Sequence, residues 1–396
     1  MNKSVKISAL LGFTILCAIL IFKFAAPKLA IPFNDLLLGI ITENRQNNNG
    51  TDNGEKNEPS DKVDEIINSL NQEQMAGQLL MVGFDGKEPD YYVSRMLNLR
   101  HVGGVILFSR NIETKEQVTR LSDQLQEMSL TNANLPLFIA VDQEGGPVNR
   151  FKGIITECPD PSGLGKLSSN EVANYMQETA KELTAMGINV NLAPVLDVAD
   201  RKSIMFGRSF GDDPNVVAEV GVAAINGYKT GGIIPCAKHF PGLGLAVQDT
   251  HATSTKINAN LDSLYKRDLL PFRMAIQNGV EMILVTHAIY PALDANNPAS
   301  LSNIMQTGIL RDMLGYQGLI LSDDLEMEAS ASEGSIGQNA VRAIQAGTDI
   351  VLVCHTPEKQ KEAYDAILSA IKSGEISIEH LKETLRKIIT IKLERE

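Results

Sequence analysis

Gly232-Ile233-Ile234-Pro235-Cys236-Ala237-Lys238-His239-Phe240-Pro241-Gly242-Leu243-Gly244 joins an apolar run to a Lys-His pair and then to a Pro/Gly turn. The run reads as a short strand buried in a parallel sheet. Lys238 and His239 stand at its carboxyl end, where α/β enzymes gather ligand-binding groups, and the turn launches a loop. Asp249-Thr250-His251 follows on that loop. A carboxylate two residues from an imidazole can set its tautomer and raise its basicity, which suits a proton shuttle.

Outward from this stretch, short apolar runs alternate with segments of helical period. The runs are 78–84, 104–108, 137–141, 190–195, 233–237, 282–285, 319–321 and 349–353. Between them lie amphipathic segments such as 115–128, 171–186, 216–228, 261–277 and 339–346, and 358–372 with 377–392 close the series. Ser168 with Glu171 has the spacing of a capping box. Eight strands each followed by a helix predict a (β/α)8 TIM barrel forming a single catalytic domain. A doubly wound open sheet would want a Gly-rich phosphate fingerprint after its first strand, and none is present.

A barrel of this kind does its chemistry at the carboxyl ends of its strands, and polar residues collect there. Asp142 and Arg150 follow the third run, Asp197 and Arg208 the fourth, and Lys238 and His239 the fifth. His287 follows the sixth, Asp323-Asp324 the seventh and His355 the eighth. One Asp of the 323–324 pair can cap the following helix. The other can face a pocket, where a carboxylate can attack an anomeric carbon and form a covalent glycosyl-enzyme. A zinc site built from His239, His251, His287 and Asp323 lacks the early His-x-His that metal-dependent barrel hydrolases carry, so no metal is expected.

With 396 residues and a net charge of −12, the chain can bury a large core, and its acidity argues against nucleic acid as a partner. It contains no Trp, so any stacking platform for a sugar is expected to come from Phe or Tyr. Cys17, Cys158, Cys236 and Cys354 show no metal spacing. Lys3 and Lys6 precede an uncharged run from Ile7 to Phe22, closed by Lys23. Residues 1–28 therefore read as an uncleaved signal anchor holding the chain to a bacterial cell membrane with the catalytic domain outside; cleavage and secretion is the alternative. Residues 29–61 include an Asn-, Gly-, Glu- and Lys-rich tract that reads as a flexible linker, and the barrel is expected over 62–396.

Together these residues resemble the single-barrel β-N-acetylglucosaminidases of glycoside hydrolase family 3. The resemblance rests on Gly103–Asn111, Val141-Asp142-Gln143-Glu144-Gly145-Gly146, Leu192–Val198, Gly207–Pro214, the Lys-His-Phe-Pro-Gly stretch, Asp249-Thr250-His251 and Ser322-Asp323-Asp324-Leu325. Carried over by position, it implies Asp323 as nucleophile and His251 as general acid/base oriented by Asp249. It makes Asp142, Arg208, Lys238 and His239 the residues that hold an N-acetylglucosamine ring, Arg150 a supporting Arg, and His287 a further substrate-site residue. Two positions depart from the family pattern. Leu243 stands where a second His is common, and Gly146-Pro147-Val148 replaces Gly-Gly-Arg-Val, the basic residue appearing only at Arg150.

The resemblance implies hydrolysis of terminal β-linked N-acetylglucosamine with retention, needing no metal or cofactor. The expected partner is a carbohydrate, N-acetylglucosaminyl glycans or muropeptides, and a monomer is expected. A phosphorylase or broader β-glycosidase of the same family is one alternative. A catalytically weak cell-wall-binding barrel is another.

Overall fold

The computed structural model describes residues 58–247, 255–327, 330 and 333–394. Expectations for the amino-terminal anchor, for most of the linker, and for Asp249 and His251 fall outside these residues.

All eight expected runs contain a barrel strand: β1 Leu80–Val82, β2 Gly104–Leu107, β3 Phe138–Val141, β4 Val190–Asn191, β5 Ile234–Phe240, β6 Met282–Val285, β7 Leu319–Asp324 and β8 Ile350–Val353. Each pairs in parallel with its sequence neighbours, and β1 closes on β8 through Leu80 with Val351 and Val82 with Val353. Helices on the outside and side chains on the inside leave the strands no wet face, and every residue of β6 and β8 is buried. The helices begin where their caps predict. Thr114 accepts from the Gln117 amide ahead of Lys115–Ala133, and Ser168 with Glu171 forms the expected box ahead of Ser169–Thr184.

Three differences have local causes. The run at 190–195 ends as a strand at Asn191, because Pro194 cannot donate to a ladder; only Val195 bridges onward, to Lys238. The expected helix 261–277 divides into Leu261–Lys266 and Leu269–Gln277. Pro271 has no N–H to return to the Arg267 carbonyl, so the break falls there. The folded region also starts earlier than 62. A helix spans Glu58–Ser69 and buries Val63 and Ile67, and Asp64 meets Arg386 of the carboxyl-terminal helix Ile378–Leu393 at 2.6 Å. Helices Tyr91–Arg100 and Ile304–Met313, the latter wound with π-type bonds, complete the ring. Among the described residues no helix is long and apolar enough to cross a membrane.

Candidate active site

At the carboxyl end of the barrel lies a cavity of about 550 Å³, walled by residues in or just beyond strands β2 to β8. Asp142 follows β3 directly. The chain then turns back in a hairpin, Gln143–Gly145 against Val148–Asn149. Gly145 (φ +88°) and Gly146 (φ +57°) supply the left-handed conformations this turn needs. Asn191 at the end of β4 exchanges two hydrogen bonds with the Gln143 backbone, and Gln143 Oε1 accepts from the amides of Arg150 and Phe151. Thus the Gly-Pro-Val departure still delivers a cation: Arg150 lines the cavity and reaches Asp142 at 3.4 Å.

Lys238 and His239 both line the cavity, although consecutive strand residues ordinarily face opposite ways. The register of β5 against β6 shifts between Lys238 and Phe240, which re-aims the pair. Lys238 Nζ lies 2.6 Å from Asp142 and 2.6 Å from Glu144, almost wholly buried. Arg208 grips Glu144 with both arms, Nε to Oε2 at 2.8 Å and Nη2 to Oε1 at 2.7 Å. Burial by itself would raise the Glu144 pKa, but Lys238 and Arg208 outweigh it and hold the carboxyl down at about 2. Burial by itself would lower the Lys238 pKa; Asp142 and Glu144 outweigh it and push the pKa up, so it stays an ammonium.

His239 has one consistent tautomer. Arg208 Nη2 stands 3.2 Å from Nε2 and can only donate, so Nε2 accepts and Nδ1–H donates to Asp197 at 2.7 Å. Asp197, fully buried, also accepts from the Leu243 amide at 2.6 Å. It thereby ties the turn after β5 to the loop after β4. The Leu243 side chain lines the cavity as an apolar wall where the family commonly has an imidazole. Glu144 and Asp197 are two acids of the site that sequence reading named without giving them a role. Their signal was present, since each lies within or beside a quoted motif, but their partners are 42 to 94 residues away.

Asp323 and Asp324 both line the cavity but differ in what they engage. Asp323 lines the cavity, and its only hydrogen bond among the described residues comes from the Asp324 amide to Oδ1. Asp324 is occupied: Oδ1 accepts from the amides of Glu326 and Cys354, and Oδ2 lies 3.2 Å from His355.

His287 is corrected. It is fully buried and is not among the residues that line the cavity. Its Nε2–H donates to the Asp324 carbonyl at 2.8 Å, and Nδ1 accepts from the Ser300 hydroxyl at 2.6 Å. His287 therefore pins the backbone beside Asp323 from behind. Of the imidazoles weighed for zinc, His239 and His287 have both ring nitrogens committed to these bonds. Among the described residues no group of three or more His, Cys, Asp and Glu side chains is placed to hold a metal.

The segment leading towards 248–254 is rooted on a buried acid. A Cβ on Gly242 (φ +126°) would sit 2.6 Å from that of Asp268, so this turn requires glycine, and Tyr290 donates to the Gly242 carbonyl at 2.8 Å. Asp268 Oδ1 takes a 2.6 Å bond from Arg267, while Oδ2 is buried with no partner among the described residues. Burial pushes this carboxyl up to about 7; Arg267 opposes the rise and Asp197 adds to it. A raised acid favours the folded state below its unfolded pKa and loses that contribution as pH climbs through about 7. Asp268→Asn should therefore unfold at a temperature roughly 2–4 °C higher than the parent at pH 8, with the gap narrowing as pH falls from 7 towards 3.8. Thermal unfolding across this pH range checks this, and a pH-independent gap would refute it.

A polar, partly enclosed cavity with buried cations and carboxylates, at this end of an eight-stranded parallel barrel, is where enzymes of the (β/α)8 class act. The family model described as the glycosyl hydrolase family 3 N terminal domain matches residues 71–391, and the chain belongs to that family. It is 38% identical over 292 residues, 71% of this chain and 82% of the other, to a β-hexosaminidase of Nitrosomonas eutropha. Its fold is similar to that of a glycoside hydrolase family 3 β-N-acetylglucosaminidase from a Paenibacillus species, with TM-score 0.81 and 36% identity. That likeness covers 83% of this chain but only 63% of the Paenibacillus chain. A β-N-acetylhexosaminidase from Beutenbergia cavernae has TM-score 0.77 and 29% identity, covering 82% of this chain and 99% of its own.

Proposed function

We propose that the chain is a retaining exo-β-N-acetylglucosaminidase that removes terminal β-linked N-acetylglucosamine. One observation carries the reading. Asp323, whose carboxylate has one hydrogen bond among the described residues, shares a cavity with a buried network of Asp142, Glu144, Arg208, Lys238 and His239. Such a network offers donors and acceptors in fixed positions to the hydroxyls of one sugar ring, and it leaves a nucleophile at the far wall. The names of the Nitrosomonas and Paenibacillus relatives support the substrate class.

In this mechanism Asp323 attacks the anomeric carbon while His251, backed by Asp249, protonates the departing oxygen. His251 then takes a proton from water, which attacks the glycosyl-Asp323 ester and releases the sugar with its configuration retained. An imidazole, with an ordinary pKa of about 6.5, keeps a usable proton near neutral pH once a carboxylate supports it. Lys238 and Arg208 donate to ring hydroxyls, and Asp142 accepts from them. The amino-terminal apolar run anchors or exports the domain, so peptidoglycan fragments are the natural source of substrate.

The test is hydrolysis of an aryl N-acetyl-β-glucosaminide followed by the anomeric state of the first product; the α-anomer would overturn retention. Purified muropeptides then identify the natural aglycone, and sugar 1-phosphate formed only when phosphate is added would mark a phosphorylase. His251→Ala is expected to slow poor leaving groups by about 10²–10⁴ but activated aryl ones far less. Equal losses on both would remove the acid role.

A further inference from the structure

His355, after β8, lines the cavity, and the mechanism above leaves it without a task. Its side chain is half exposed, yet the ring is held on three sides. Arg110 donates to Nδ1 at 3.3 Å, Nε2 lies 3.2 Å from Asp324 Oδ2, and the ring packs on Phe108 with centroids 5.2 Å apart, tilted 37°. Phe108 in turn carries Arg110 over its ring at 4.4 Å. A surface side chain gains little from three such restraints, whereas a binding platform gains preorganisation.

The barrel order says what this platform would meet. The groups that hold the sugar ring arise from β3, β4 and β5, and Asp323 ends β7. A ring gripped at the β3–β5 side with its anomeric carbon at Asp323 points its glycosidic bond towards the wall built after β7, β8 and β2. His355, Phe108 and Met327 form that wall. In a chain without Trp, His355 and Phe108 are the rings that the described residues place there.

We infer that His355, steadied by Phe108, is the residue that receives the aglycone, stacking against the apolar face of a second pyranose ring. The inference rests on the glycosidase reading. It makes His355 a specificity-determining residue for a saccharide leaving group and predicts that a leaving group without a ring forfeits the contact.

The test compares kcat/KM for N,N′-diacetylchitobiose with that for N-acetyl-β-glucosaminyl fluoride in the full chain. His355→Ala and His355→Gln should each lower the disaccharide-to-fluoride ratio about tenfold, the scale of one aromatic contact. His355→Phe, which keeps a ring but not its hydrogen bonds, should hold the ratio within about twofold of the parent. A ratio kept by Gln and lost by Phe would show that the bond to Asp324 matters instead, and overturn the platform. Both substrates falling together in all three variants would overturn it too, exposing a positioning role for the end of β7. A parent chain that consumes the fluoride but not the disaccharide refutes the inference while leaving the glycosidase reading intact. Turnover of neither substrate refutes both.

Discussion

Asp323→Asn is expected to lower turnover by about 10⁴-fold or more while leaving the affinity for N-acetylglucosamine close to that of the parent. The amide is the same size as the carboxylate and can still accept from the Asp324 amide, as Asp323 Oδ1 does. What it lacks is the negative charge that forms the ester to the anomeric carbon. In the proposed mechanism the sugar is held by other groups, the Lys238–Asp142–Glu144–Arg208 network, which the substitution does not touch. The measurement pairs steady-state kinetics on an aryl substrate with direct binding of the free sugar. Near-normal turnover would remove Asp323 from the role. Loss of binding together with turnover would mean that Asp323 orders the cavity rather than attacking within it.

Glu144→Ala should destabilise the fold by about 3–5 kcal/mol and weaken sugar binding at the same time. The carboxylate is almost wholly buried and lies at hydrogen-bonding distance from both Lys238 and Arg208. Removing it leaves Lys238 sharing Asp142 alone and Arg208 with no carboxylate partner, two buried cations facing each other across a gap. Denaturant midpoints for parent and variant measure the loss. A pH series supplies the sign. The Glu144 carboxyl is held at about 2 against an ordinary 4.5, so its contribution is complete above 4.5 and vanishes as pH falls through about 2. Parent and variant stabilities should therefore converge in that acidic window. A gap that persists unchanged below pH 2 would mean that lost packing, not lost charge, accounts for the effect.

The correction at His287 and the two unassigned acids have a common origin. In sequence His287 looks like Lys238 or His239: a polar group just beyond a buried strand. Only the packing of the Ser300 turn against the end of β7 shows that its two nitrogens are already spoken for and that the ring lies behind the wall. Asp197 looks like a loop acid until the turn after β5 is seen to rest on it. The division between Asp323 and Asp324 was legible as a question, one cap and one attacker. The structure shows that the Cys354 amide and His355 engage Asp324.

Read alone, the sequence determined the eight-stranded barrel and the set of residue types that reach its mouth. A strand buried on both faces must be a short unbroken apolar run, and the first polar residue after it must lie at the strand's end. Those are local constraints, readable within a few residues. Tertiary structure alone decided which of those polar groups pair, which turn away from the cavity and which are left free to react. Lys238 meets Asp142 across 96 residues and Arg208 meets Glu144 across 64, and the shift in β5 pairing that aims Lys238 and His239 together depends on β6. Charge pairing and burial depend on distance in space, and no periodicity along the chain encodes that distance.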